Sequence, residues 1–244
     1  MVARPLSLFA LLTVAAALPA QAQDDLIARR ASLFDLGIYA GGAWSSDWFT
    51  TPELGGEGEE GWSPGFSSIF GATATYWVSP SFGIRLHGAY MPSSLPEAGE
   101  IEHPEDYGMS NWLYDLDLVF RPWFDRGGVM GSTHLFLGGG AISSSATGDF
   151  GSAECVPFFA PAGVCISTEG RTSVRGVAGA HTDLTSLGRV TLFGEAALHG
   201  FPAPVGICNE GPCEDEELTP GDASRSFVLM PRLELGTEIK LGQR

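Results

Sequence analysis

With 244 residues, 33 of them glycine, and 29 aspartates and glutamates against 13 lysines and arginines, the chain carries a formal charge of −16. A field of that sign excludes nucleic acid and anionic surfaces as favoured partners. Length, one lysine (Lys240) and few helix-favouring runs predict a single large all-β domain rather than a helical one.

Met1 to about Ala22 reads as a secretory signal, with Arg4 in the positive region, an apolar stretch from Leu6 to Leu18, and Ala20-Gln21-Ala22 as a small-x-small cleavage pattern. The apolar stretch is only about a dozen residues, short of the roughly 20 that a spanning helix needs. Cleavage is expected just before Gln23. No later stretch offers a helical span, so any membrane residence of the mature chain must come from strands.

From Phe34 onward, eight segments alternate apolar with small or polar residues at the two-residue period of a strand with one apolar face. They are 34–44, 66–78, 82–91, 111–122, 133–142, 172–183, 189–201 and 227–241. The last is the clearest: Phe227, Leu229, Pro231, Leu233, Leu235, Thr237, Ile239 and Leu241 alternate with Arg232, Glu234, Gly236, Glu238 and Lys240. The fourth sets Trp112, Tyr114, Leu116, Leu118 and Phe120 against Asp115, Asp117 and Arg121, and the seventh sets Val190, Leu192, Ala196 and Leu198 against Glu195 and His199. Glycine, alanine and serine dilute the second, fifth and sixth.

Connections alternate in length. Short turns fall at Ser79-Pro80-Ser81, around 125–131 and at 184–188, and long loops at about 45–65, 92–110, 143–171 and 202–226. Because hairpin strands reverse direction, the turns gather at one end of the sheet and the loops at the other, as in outer-membrane barrels. Aromatic residues gather toward the ends of the segments: Phe34, Tyr76, Trp77, Phe82, Phe120, Trp123 and Phe124 near the turns, and Trp44, Trp48, Phe66, Tyr90, Trp112, Tyr114, Phe201 and Phe227 near the loops. Membrane interfaces favour that placement.

Two arrangements satisfy the period: a soluble exported barrel with an apolar interior that binds an apolar ligand, or a membrane barrel with its apolar rows outward. The export signal, one-sided loops and aromatic ends favour the second. Its inward set then holds Arg85, Arg121, Arg175, Arg232 and Lys240 beside Asp115, Asp117, Glu195, Glu234 and Glu238, with His87, His181 and His199. An eight-stranded barrel is just wide enough for side chains to fill, so these charges are expected to pair and plug the lumen, with Arg232 or Arg175 in reach of Glu195. Five cations against five anions argue against the single-sign ring of an ion-selective pore, leaving a narrow channel for ions or small solutes as the alternative.

Cys155, Cys165, Cys208 and Cys213 form two sequence-local pairs in an exported chain, and disulfides Cys155–Cys165 and Cys208–Cys213 are the favoured of three connectivities. Neither spacing suits zinc. The loops are strongly acidic: Asp47, Glu53, Glu57, Glu59 and Glu60; Glu97, Glu100, Glu102, Glu105 and Asp106; Asp149, Glu154 and Glu169; and Glu210, Glu214, Asp215, Glu216, Glu217 and Asp222. Such loops attract divalent cations or a basic partner, although Glu214-Asp215-Glu216-Glu217 lacks the spaced pattern of a dedicated calcium loop. No catalytic motif is present, and His181 with Asp183, or His199 with Glu195, shares a strand face without a nucleophile spaced to use it. No cofactor and no resident metal are expected.

The eight-segment plan, opening on the Gly-rich run from Leu36 to Trp44 and closing on the alternation from Phe227 to Leu241, resembles the small OmpA-like and OmpW-like outer-membrane barrels. That resemblance implies a signal over 1–22, an N-terminal periplasmic segment over 23–33 and an eight-stranded antiparallel up-and-down transmembrane barrel over 34–244, with short periplasmic turns and long extracellular loops. It also implies insertion by the outer-membrane assembly machinery, contact with outer-membrane lipid and lipopolysaccharide, a monomer, and a role in envelope integrity, surface adhesion or small-solute passage. No catalytic residue carries over. Such barrels usually finish on an aromatic residue; here Leu241 stands in its place, and no peptidoglycan-binding domain is expected after the barrel.

Overall fold

The computed structural model describes residues 32–52, 59–94, 108–147, 155–159, 164–167, 171–204, 206–209 and 224–243. The expected signal and most of the N-terminal periplasmic segment lie outside them. Each of the eight predicted segments is a strand: β1 (Ser32–Trp44), β4 (Phe66–Ser79), β5 (Phe82–Ser94), β6 (Gly108–Phe120), β7 (Thr133–Ala146), β10 (Arg171–Leu187), β11 (Val190–Pro202) and β14 (Phe227–Gln243). They form one closed antiparallel barrel in the order β1-β14-β11-β10-β7-β6-β5-β4. Sequence neighbours are barrel neighbours throughout, and β1 closes on β14 from Ser32↔Gln243 to Ala43↔Arg232, which leaves no sheet edge.

Several strands run past their predicted ends. β5 continues through Ser93 and Ser94, and β7 through Ser143, Ser144, Ser145 and Ala146. Serine and alanine carry no apolar alternation, but their backbone groups keep the ladder going. β10 and β11 meet across Gly188-Arg189, where Gly188 takes a positive φ of 67°, a tight-turn conformation that costs glycine nothing. The turn expected around 125–131 contains one helical turn, Gly128–Ser132. Gly138 and Gly140 let β7 lie close to β6, because a Cβ at Gly140 would run into the Tyr114 carbonyl.

The long loops contribute short strands that period reading did not predict. β2 (Phe49–Pro52), β3 (Glu59–Trp62) and β13 (Ser224–Arg225) make one small sheet, and β8 (Cys155–Phe159), β9 (Val164–Ser167) and β12 (Gly206–Asn209) another. None exceeds five residues, too short for an alternation to register.

Burial separates the two faces of each long strand. Along β14, Leu229, Leu233, Leu235 and Ile239 are exposed on the outside while Val228, Met230, Arg232, Glu234 and Glu238 are buried inside.

Candidate functional site in the barrel lumen

The lumen is layered. In its middle, Arg85 on β5 reaches its direct cross-strand partner Asp117 on β6 through Nε and Nη2, at 2.9 and 2.8 Å from Oδ2. Its Nη1 donates at 2.6 Å to Oε2 of Glu195 on β11. In the barrel order β5 and β11 lie diametrically opposite, so this pair spans the lumen. Arg232 on β14 donates from Nη2 to Glu195 Oε1 at 2.7 Å and from Nη1 to His87 Nε2 at 2.8 Å, and its Nε lies 3.3 Å from Glu234 Oε1. Arg175 pairs with Asp115 rather than Glu195, through Nε to Oδ1 at 2.6 Å and through Nη2 to Oδ2. His87 accepts through Nε2 from Arg232, with the Tyr39 hydroxyl against the same nitrogen, which places its proton on Nδ1, 3.0 Å from Asp115 Oδ2.

Toward the turns, Asp35 accepts from Ser32 Oγ at 2.6 Å and Trp77 Nε1 at 2.5 Å, and Arg121 lies flat over the Trp77 ring with Nη2 at 3.6 Å from Asp35 Oδ2. Lys240, at the rim, bonds Asp183 and sits 3.2 Å from Glu238 Oε1. Toward the loops the filling turns mostly apolar: Ile69, Met91, Leu113, Ile142, Phe201, Val228 and Met230 pack beneath Trp48 and Phe49. They surround one polar cluster, in which Asn111 Nδ2 donates to Met91 O and Ser93 Oγ at 2.9 and 2.8 Å and Oδ1 accepts from Ser144 Oγ at 2.5 Å. The segment carrying Trp48 is tied down by Ser46 N to Leu229 O and Ser226 N to Trp48 O, both 2.9 Å.

Arg85, Asp115, Asp117, Arg121, Arg175, Glu195, Arg232, Glu234 and Glu238 are buried in this interior, and the Lys240 side chain is 11% exposed. Three aromatic residues expected at membrane interfaces are not there: Trp48, Trp77 and Phe201 turn inward and are buried. Aromatics suit strands on either face, so position near a strand end does not decide orientation. Asp35 and His134 also face the lumen without having been singled out. Asp35 was findable from its alternation with Phe34, Leu36 and Ile38.

Cys165 on β9 lies opposite Cys208 on β12 in the backbone register, whereas Cys155 lies opposite Ser167. The expected pairing of Cys155 with Cys165 rests on side chains outside those described. Cys213 lies outside the described residues. Of the acidic loop residues, Asp47 is exposed, Glu59 and Glu60 belong to β3, and the others lie outside the described residues.

No family model and no curated protein sequence matches the chain. Its fold is similar to solved outer-membrane proteins. OprG from Pseudomonas aeruginosa aligns at 12% identity over 86% of this chain and 97% of that one, with a TM-score of 0.45. Neisserial surface protein A aligns at 12% over 86% and 99%, with a TM-score of 0.44. The attachment invasion locus protein Ail of Yersinia pestis aligns at 13% over 84% and 99%, with a TM-score of 0.42.

Proposed function

We propose that this chain is a non-enzymatic outer-membrane β-barrel whose lumen is plugged by its own side chains, and that it acts as a structural or surface-interaction protein through its acidic loops. The observation that carries the reading is the inverted distribution of polarity. Leucines such as Leu116, Leu118, Leu229, Leu233 and Leu235 stand about half exposed on the outside, while Arg85, Arg175, Arg232, Glu195 and Asp117 are at most 4% exposed inside. In water that outer surface is a continuous aggregation-prone patch; in hydrocarbon it is matched to its solvent. A soluble ligand-binding barrel needs the opposite arrangement.

Dimensions agree. Outward aromatic pairs cap both ends, Phe34 with Tyr76 at the turns and Trp44 with Phe66 at the loops, with ring centroids 5.0 and 5.2 Å apart. Ten residues separate Phe34 from Trp44 on β1. They span about 33 Å of strand, or about 25 Å along the axis at an ordinary tilt of about 40°, the height of an outer-membrane apolar band.

The Arg85–Glu195 pair across the diameter and the apolar side chains above it support a lumen without a continuous wet path. Purified protein is expected to show heat-modifiable gel migration and no conductance steps in planar bilayers; steps that persist in several preparations would replace the plugged lumen with a channel. The acidic composition of the loops suits divalent cations or a basic partner. Facing antiparallel residues lie about 4.5–5.5 Å apart at Cα, within the roughly 4.4–6.8 Å that a disulfide bridges. The backbone register that sets Cys165 opposite Cys208 supports a bridge between the third and fourth long loops as an alternative to the local pairs Cys155–Cys165 and Cys208–Cys213. Non-reducing peptide mapping distinguishes this from two local bridges.

A further inference from the structure

One group in the lumen gathers metal-ligating side chains from two strands. His181 and Asp183 on β10 and Glu238 on β14 bring one nitrogen and two carboxylate oxygens within 4.8 Å of one another. His181 Nε2 lies 3.6 Å from Asp183 Oδ1 and 3.8 Å from Glu238 Oε2. Both Nε2 and Oδ1 are buried without a hydrogen-bond partner, in residues 3% and 4% exposed. A buried polar atom left this way is costly, and two of them aimed at each other point to a missing third party.

The surroundings fit a metal ion. The imidazole is clamped between His134 and Phe193, with centroids at 4.3 and 4.4 Å, so its rotamer is held. Its other nitrogen, Nδ1, lies 3.2 Å from Glu195 Oε2, and Glu195 is itself held by Arg85 and Arg232. A histidine whose Nδ1–H is given to a carboxylate presents a fixed, basic Nε2 lone pair, the support that metal-bound histidines have. Lys240 bonds Asp183 Oδ2 and stands 3.2 Å from Glu238 Oε1, while Asp183 Oδ1 and Glu238 Oε2 are the oxygens facing the histidine. Ligands about 2.0–2.1 Å from a tetrahedral ion stand about 3.3 Å apart, a few tenths inside the two nitrogen–oxygen spacings of 3.6 and 3.8 Å, with the two carboxylate oxygens within 4.8 Å of each other.

We propose that His181, Asp183 and Glu238 bind a divalent first-row metal ion, with zinc the best match, entering from the turn-end rim beside Lys240. One imidazole and two carboxylates make a borderline donor set, which selects zinc or cobalt over magnesium or calcium. Glu195 is a positioning residue and Lys240 braces both carboxylates. Three protein ligands leave a position for water.

The test uses the full chain folded in detergent micelles and stripped with chelator, titrated calorimetrically with Zn²⁺ and spectroscopically with Co²⁺. One saturable equivalent is expected, with a visible Co²⁺ spectrum of low coordination number. His181→Gln and Asp183→Asn should abolish it, Glu195→Gln should weaken it about 10–100-fold, and His199→Gln, elsewhere in the lumen, should leave it unchanged. Heat-modifiable migration checks that each variant is folded, and X-ray absorption at the zinc edge of the wild-type protein gives an independent readout of one nitrogen among oxygens. No saturable binding, binding that survives His181→Gln, or an all-oxygen zinc environment would overturn the proposal in favour of a protonated His181 paired to both carboxylates.

Discussion

From Arg232 toward the turns, the inward side chains of β14 are ionic; from Met230 toward the loops, they are apolar. Across the barrel, β5 and β6 change in the same sense, with Arg85 and Asp115 below and Met91 and Leu113 above. Two materials thus fill one tube. The ionic half gains specificity, since Glu195 alone holds Arg85, Arg232 and His181, each from a different strand. It is brittle for the same reason, because removing a shared partner weakens the compensation of several buried charges at once. The apolar half has no single keystone and answers in proportion to the volume removed.

Substitutions can break or sharpen that contrast. Glu195→Ala should have the largest effect, about 3–5 kcal/mol, because it leaves two guanidinium groups short of a partner in a dry interior. Denaturant unfolding from liposomes measures it, and a loss below 1 kcal/mol would mean that water reaches these charges. Met230→Ala, in the apolar half, should cost about 2–5 kcal/mol as a cavity, with no change in charge balance. Leu235→Arg places a cation on the outer face near mid-strand and should cost about 2–4 kcal/mol in a bilayer. The same variant would be nearly neutral if that face met water. Ile142→Val, removing one methylene from the apolar half, should cost about 0.5–1.5 kcal/mol in the same assay.

Much of this architecture was legible in the sequence, for a physical reason. A two-residue period needs only a contrast between faces, and β14 supplies it without interruption from Phe227 to Ile239. The same period names which residues share a face, so Arg232 and Glu234 fall together. It does not say whom they meet: Arg85 and Glu195 are 110 residues apart and come into contact only when the barrel closes. The histidine cluster follows the same logic. His181 and Asp183 are two residues apart and visible as a pair, whereas Glu238 joins them from a strand that lies beyond β11. Trp48 and Phe201 were misplaced because an aromatic ring is equally at home against lipid and against a lumen packed with methionine and isoleucine. The loop strands escaped because four or five residues carry too little alternation to be recognised.

All of these expectations rest on which row of β14 meets hydrocarbon. Methyl-labelled protein in lipid nanodiscs answers this by nuclear Overhauser contacts to acyl-chain protons. Leu229, Leu233 and Leu235 methyls should show them, while the side chains of Arg232 and Glu234 contact only protein. Acyl contacts from Arg232 and Glu234, with the three leucines silent, would turn the barrel inside out and contradict the account.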